Sequence, residues 1–428
     1  MEARPGRTMN ALFATFDVFP SPKGAGTHIA QTALALAERF DRVHLVTLGH
    51  ADMPAYQREG AITLHRCLAG HPNLLRRSDY FGDHVHSVIS RLDIAPRYVH
   101  FRDIWSGLPL LTHERLAGAT FVFEVNGLPS VELPCHYPAL AKNASLIKSI
   151  RAMEDYCLAH AHGIIAVCET GRRYLVSRGV PAGSITVLPN MAADPGPDAA
   201  LPDDPRRPAG DYILYAGTAA PWQGLPLLLR ALRLIRSECR ATLVLAISTR
   251  KHLKAVRRLV RRMGLADRVR VHVGLSRERL FALYRNARFS LAPLSRCDRN
   301  ELQGCSPIKI LESMACGTPV IAARLPVCAE IVTHGRDGYL FTPDSARSLA
   351  NAMRALLGDP GLCARLGAAA EDTIRTRHSA AAWSARLLDA CESYMNTQRE
   401  EAYHDDGNET ARHRRDHQET AACRHLEL

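Results

Sequence analysis

Short apolar runs with little alternation recur from Asn10 to Asn190, each followed by a stretch of helical periodicity or a turn. "NALFATF" leads through a glycine-containing loop to "THIAQTALALAERF" and then "DRVHLVTLG". "RYVHFRD", "TFVFEVNG", a long helix around "SLIKSIRAMEDYCLAHAH", "GIIAVC" and "SITVLPN" continue the series. Strands this uniformly apolar are covered on both faces, which predicts a parallel sheet. The stretch 191–210, "MAADPGPDAALPDDPRRPAG", is rich in Pro and Asp and predicts an interdomain linker. Beyond it the rhythm restarts with "YILYAG", "ATLVLAIS", "RVRVHVG", "FSLAPL", "PVIAA" and "GYLF", again separated by helical segments. The pattern therefore predicts an α/β chain of two doubly wound domains, residues 9–190 and 211–375. A helix over 376–396 is expected to pack back on the first domain. The polar stretch 397–428, nearly free of aliphatic residues, is expected to be a disordered tail. In doubly wound sheets ligands bind at the carboxyl ends of the strands, so the expected site is the cleft between the domains.

Composition agrees with a folded, multidomain protein: 428 residues, 46% hydrophobic and 23% charged. No apolar run approaches the ~20 residues that span a bilayer. The amino-terminal "MEARPGRTMN" has no apolar core of a secretory signal, so the cytoplasm is the expected location. Twelve cysteines include no C-x-x-C pair, and several sit in apolar runs, which predicts buried free thiols without a metal or disulfide framework. The formal net charge of +11 predicts an anionic partner. "TRKHLKAVRRLVRRMG", Thr249 to Gly264, is the densest basic stretch, and its apolar residues fall at helical spacing. No stacking aromatics are interleaved with its arginines, which argues against nucleic acid.

Two segments carry candidate chemistry. In "SPKGAGTHIA", Gly24, Ala25 and Gly26 let backbone approach a ligand where a helix begins. Ile29 stands where a dinucleotide fingerprint needs its third glycine. In "CSPIKILESMACGTPVIA", Ser306 is a candidate N-cap, Pro307 suits the first helical position and Gly317 the end. Lys309 and Glu312, three apart, share one helix face. A carboxylate can accept from two vicinal ribose hydroxyls, and an ammonium beside a helix N-terminus suits a diphosphate. The same spacing also suits an internal Lys–Glu ion pair on a surface helix.

The order and spacing of these segments, with "GVPAGSITVLPN", "YAGTAAPWQGLPLLLRAL", "MGLADRVRVHVGLSRERLFALYRNARFSLAPLS" and "EIVTHGRDGYLF", resemble the family 4 retaining glycosyltransferases over most of residues 10–395. The resemblance implies a GT-B fold, with two Rossmann-like domains facing each other across a cleft. It implies a nucleoside-diphosphate sugar as donor, held mainly by the second domain, and a polysaccharide or lipid-linked glycan as acceptor, held by the first. Neither cofactor nor metal is implied, and the chain has no D-x-D triplet. Glu312 would bind the ribose, Lys309 the departing diphosphate, and Gly24–Gly26 would lie against the diphosphate and sugar. Cys305 and Ser306 would face the donor sugar, with Gly217, Thr218 and Gln223 around the phosphates. Asp103, Glu124 and Asn126 would contact acceptor or donor sugar, and Glu330 would support the site.

Several positions depart from the family pattern. Gly304 occupies the place of the first acid of E-x7-E, Thr218 and Gln223 those of the Arg and Lys that clamp the diphosphate, and Asn126 that of a histidine. Met191 follows Pro189 and Asn190 where the family has Gly. Lys309, with Arg296 behind it, is the candidate to supply the lost positive charge. Trp222 is expected to be a packed aromatic. Basic charge also suggests an anionic membrane surface as a peripheral partner. The rival readings are a catalytically silent GT-B partner, favoured by Gly304, Thr218 and Gln223, and a sugar-nucleotide epimerase with Asp103, Glu124 and His100 as acid–base groups. A basic nucleic-acid binder ranks below both.

Overall fold

The structure, a computed structural model, describes residues 9–21, 24–137, 140–193, 195–196, 211–250 and 252–398. The first domain is built on an eight-stranded sheet: β1 (Asn10–Val18), β2 (Arg42–Leu48), β3 (Tyr56–Glu59), β4 (Ile62–Cys67), β5 (Tyr98–Phe101), β6 (Thr120–Val125), β7 (Gly163–Ala166) and β8 (Ile185–Val187). Their spatial order is β3-β4-β2-β1-β5-β6-β7-β8, all parallel except β3 against β4. Edge strand β3, whose sequence is "YQRE", is polar and has no apolar pattern from which it could be read.

The uniform apolarity of β1 is used on both faces. Leu12 and Ala14 join a core with Phe81, Phe101 and Phe123, whereas Ala11 and Phe13 join another with Ile29, Leu36 and Tyr98. That second core is completed by a helix over residues 380–398, which buries Trp383, Leu387, Ala390, Cys391, Tyr394 and Met395 at helical spacing. Tyr394 locks it by donating its hydroxyl to the carbonyl of Ile164, 3.0 Å away. This helix thus crosses from the second domain to the first. The tail beyond residue 398 lies outside the described residues.

The second domain contains β9 (Tyr212–Gly217), β10 (Thr242–Ile247), β11 (Val269–Val273), β12 (Ser290–Ala292), β13 (Val320–Ala323) and β14 (Tyr339–Phe341). All are parallel in the order β11-β10-β9-β12-β13-β14, so the strand order reverses between β9 and β12. Two doubly wound domains are what the apolar rhythm predicts. Of the expected linker, Met191, Ala192 and Ala193 are buried and the remainder, apart from residues 195–196, lies outside the described residues.

Polar contacts join the domains beside the cleft. Glu330 accepts hydrogen bonds from the backbone N–H of Glu169 (2.9 Å) and Thr170 (3.0 Å) and from the Thr170 hydroxyl (2.7 Å). It thereby caps the helix Glu169–Ser177 of the opposite domain with a carboxylate where the helix dipole favours one. Arg299 pairs with Glu132 at 2.9 Å, and the Gln303 side chain accepts from Leu128 N–H at 2.8 Å. Among the described residues, no helix is long and apolar enough to cross a membrane.

Candidate active site

At the reversal point of the second sheet, the carboxyl ends of β9, β10 and β12 leave a cavity of about 310 Å³. Gly217, Thr218, Ser248 and Leu294 form its strand-end wall. Gly24 of the glycine loop closes it from the first domain, and Cys305, Ser306, Ile308, Lys309 and Glu312 form the third side. The helix carrying the last three begins one residue later than its sequence suggests: it spans Ile308–Ala315, with Pro307 as cap residue and no side-chain cap. Ser306 is engaged elsewhere, its hydroxyl accepting from Asn190 N–H and its carbonyl from the Asn190 amide, both at 3.1 Å. The first-turn N–H groups therefore have no side-chain cap, an arrangement that favours an anion.

Lys309 and Glu312 line this cavity without pairing to each other or to any other charged residue among those described. The Lys309 ammonium donates to the Gln223 side-chain oxygen and lies 4.4 Å from the centre of the Tyr215 ring. Burial lowers its pKa to about 7, against which nearby Cys328, Cys305 and Glu312 pull only partly. Gly217, at φ +140°, makes room for it, since a Cβ there would come within 2.8 Å of Lys309 Nζ. Glu312 has no side-chain hydrogen-bond partner among the described residues, and burial raises its pKa to about 7 against the pull of Arg277 and Lys309. The ion-pair alternative for these two residues thus does not describe the fold. Both are held partly desolvated at one cavity wall.

A second cavity, of about 350 Å³, opens on the first-domain side. Ala25, His28, Asp17, Arg102, Asp103, Asn126 and Glu132 line it, and it shares Arg299, Cys305, Ser306 and Ile308 with the first. Gly26 brings the loop close: a Cβ there would lie 2.2 Å from the Ser21 carbonyl oxygen. Asp103 caps the helix Ile104–Leu111 through Ser106 N–H (2.9 Å) and accepts from Phe16 N–H (2.7 Å). Burial pushes its pKa up to about 6 despite these hydrogen bonds.

Glu124 is not at the cavity surface. It is 1% exposed and accepts from His28 Nε2 (2.5 Å), His100 Nε2 (2.9 Å) and the Asn126 amide (2.6 Å). Burial raises its pKa, but His28, Arg102 and the hydrogen bonds from His100 outweigh that and hold it well below the usual carboxylate range. The strand ends at Val125, so Glu124 stays buried within the sheet and Asn126, just beyond the strand end, reaches the cavity. His28 and Arg102 could have been read from their places one helical turn after Gly24 and next to Asp103. Deleting the shared partner should be costly: Glu124→Ala is expected to destabilise the fold by about 3–5 kcal/mol, as loss of one member of a buried charged set does, measurable by chemical denaturation.

Gly304, in the place of a family acid, and Glu330, expected to support the site, both lie outside the two cavities. Glu330 is the interdomain cap described above. Gly304 has φ +81° and packs on the first domain, where a Cβ would meet Cys168 Sγ at 2.4 Å and Gly171 N at 2.9 Å. A glutamate cannot be restored here by simple exchange. Gly304→Glu is expected to lower the melting temperature and to leave transfer no faster; a stable, faster variant would contradict this placement. Trp222 is buried, with the Arg299 guanidinium 5.5 Å from its ring centre. Arg296 pairs with Glu301 at 3.2 Å and does not line the first cavity. No group of three or more His, Cys, Asp or Glu able to hold a metal ion occurs among the described residues.

Residues 23–191 match the family described as glycosyl transferase 4-like domain, and residues 210–359 match glycosyl transferases group 1. The chain belongs to the group 1 glycosyltransferases. This glycosyltransferase is 27% identical over 400 residues to the D-inositol 3-phosphate glycosyltransferase of Pseudarthrobacter chlorophenolicus, covering 87% of the chain and 90% of the relative. Its fold is that of sucrose-phosphate synthase from Thermosynechococcus elongatus, with a TM-score of 0.74 at 20% identity over 90% of this chain and 100% of that one. Anabaena HepE in complex with UDP-glucose matches with a TM-score of 0.65 at 16% identity, over 90% and 100% of the two chains. The two-domain architecture is accordingly GT-B.

Proposed function

We propose that this glycosyltransferase moves a sugar, with retention of configuration, from a nucleoside-diphosphate sugar in the second-domain cavity to a hydroxyl of a glycan or lipid-linked acceptor in the adjoining one. The observation that carries the proposal is the pair Lys309 and Glu312, unpaired and partly desolvated beside an uncapped helix N-terminus at the sheet's reversal point. In this reading Glu312 accepts from the ribose hydroxyls, and Thr218, the first-turn N–H groups and Lys309 receive the diphosphate. Lys309 shares Gln223 as a neighbour, so its ammonium stands where the family's missing clamp would have acted. As the bond from the sugar to the diphosphate breaks, negative charge grows on the leaving oxygen. A preplaced ammonium stabilises that charge. The acceptor hydroxyl attacks from the same face and passes its proton to the leaving phosphate, which leaves the anomeric configuration unchanged. Asp17, Asp103, Asn126 and Glu132 provide acceptors for sugar hydroxyls on the acceptor side.

Because HepE is described in complex with UDP-glucose, a UDP-sugar is the first donor to test. The helix Leu253–Arg262 turns Val256 and Val260 inward and exposes Lys254, Arg257, Arg258, Arg261 and Arg262. We assign that face to an anionic membrane surface at which the acceptor is presented. An epimerase has less support, since His100 and Glu124 lie beneath the cavity floor rather than around a sugar.

The test is a thermal-shift panel of nucleoside diphosphates and their sugars on the wild type and on Glu312→Ala. One nucleotide series should raise the melting temperature of the wild type and fail to do so in the variant. If no nucleotide shifts the wild type at saturation, the silent-partner reading replaces this one.

A further inference from the structure

A third cavity lies at the opposite end of the first sheet, where β1, β2 and β4 begin. Its volume is about 380 Å³. A rise of ~3.3 Å per residue along β2 places it roughly 20 Å from the cleft. Asn10, His44 and Thr63, all buried, form the floor together with His65. His44 Nδ1 and His65 Nε2 are 3.2 Å apart, so one imidazole donates to the other. Burial and neighbouring cationic groups hold His65 at a pKa of about 4, and burial with Arg42 lowers that of His44, so the floor is neutral at pH 7.

Three exposed arginines, Arg42, Arg58 and Arg91, stand around this floor. None forms an ion pair with a described residue: Arg58 reaches only the Gly60 carbonyl (3.4 Å), and Arg91 the carbonyl and hydroxyl of Ser87 (2.9 and 2.6 Å). Asp93 is the single acid among the lining residues. The Asn10 side-chain oxygen is buried with no hydrogen-bond partner among the described residues. Three cations gathered with a single acid repel one another, and an anion in the hollow removes that repulsion.

We infer that this cavity binds a phosphate monoester, held by the guanidinium groups of Arg42, Arg58 and Arg91 above the His44–His65 floor. Planar guanidinium forks match phosphate oxygens in pairs, which lysines would not. Tyr56 and Ile94, 60% and 48% exposed, flank the opening. They suit the body of a phosphorylated small molecule and equally the glycerol end of a phosphatidic headgroup. The site is independent of the donor cleft and of the reading given to it.

Inorganic phosphate titrated against chloride at constant ionic strength should raise the melting temperature of the full-length chain by about 3 °C or more at saturation. Lys309→Met, which removes the cleft's free ammonium, should keep that response, and Arg42→Gln/Arg91→Gln should lose it while melting normally without phosphate. No response in the wild type, an unchanged response in the double variant, or a loss of response in Lys309→Met would each overturn the inference. Flotation with phosphatidylcholine vesicles, with and without phosphatidic acid, separates the two sources. Capture on phosphatidic acid that the double variant loses identifies a lipid headgroup. A phosphate response without such capture identifies a soluble phosphorylated ligand.

Discussion

Glu312→Gln is expected to lower kcat/KM by about a hundred-fold or more, from loss of two hydrogen bonds to a charged acceptor at ~1.5–3 kcal/mol each, yet to make the ligand-free protein melt higher above pH 7. The two effects have one cause. Desolvation raises the Glu312 pKa from an ordinary 4.5 to about 7. Between those values the native state holds a proton that the unfolded chain has released, so the contribution of this group to stability falls as pH rises from 4.5 to 7. Above pH 7 its full desolvation cost is present, and glutamine removes it. Melting curves at pH 5 and pH 8 check this: the variant's advantage should appear at pH 8 and vanish at pH 5. A variant that melts lower at both pH values would mean that Glu312 holds the fold together, and its loss of activity would then say nothing about ribose.

Much of this site was legible in the sequence because it depends on local rules. Helical spacing of three puts Lys309 and Glu312 on one face, and the turn of apolar runs into polar loops marks the strand ends where Gly217, Thr218 and Asn126 stand. What could not be read depends on contacts between distant segments. Gly304 takes the place of a family acid and Glu330 is expected to support the site, but neither sequence position shows that each meets the first domain, Glu330 as a cap on the helix Glu169–Ser177 and Gly304 against Cys168. Glu124 and Asn126 are two apart, but the strand ends between them and only Asn126 remains at the surface of the cleft. Ser306 is a good helix cap by type; Asn190, 116 residues away, takes its hydroxyl instead. The cavity at Arg42, Arg58 and Arg91 is assembled from three segments distant in sequence, of which only β3, with Arg58, lacks an apolar period.

Lys309→Met should reduce kcat by about 10²–10³-fold, the range seen when one preorganised donor to a developing oxyanion is removed, and it should also remove one limb of the pH profile. Methionine keeps the apolar stem against Tyr215 and removes only the charge. Desolvation lowers the Lys309 pKa from 10.5 to about 7, so the ligand-free protein is less penalised by this group as pH rises from 7 towards 10.5. Donor binding needs the opposite state. An arriving diphosphate favours the ammonium, so binding above pH 7 takes up a proton and weakens as pH increases. Glu312 imposes the mirror condition, because the ribose hydroxyls need a carboxylate and its ligand-free pKa is also about 7. The wild type is therefore expected to give a bell-shaped kcat/KM profile centred near pH 7, its two limbs belonging to the coupled pair rather than to either residue alone. Lys309→Met should lose the alkaline limb and Glu312→Gln the acid one. An alkaline limb that survives in Lys309→Met would assign the diphosphate's counter-charge to another group and remove Lys309 from the mechanism.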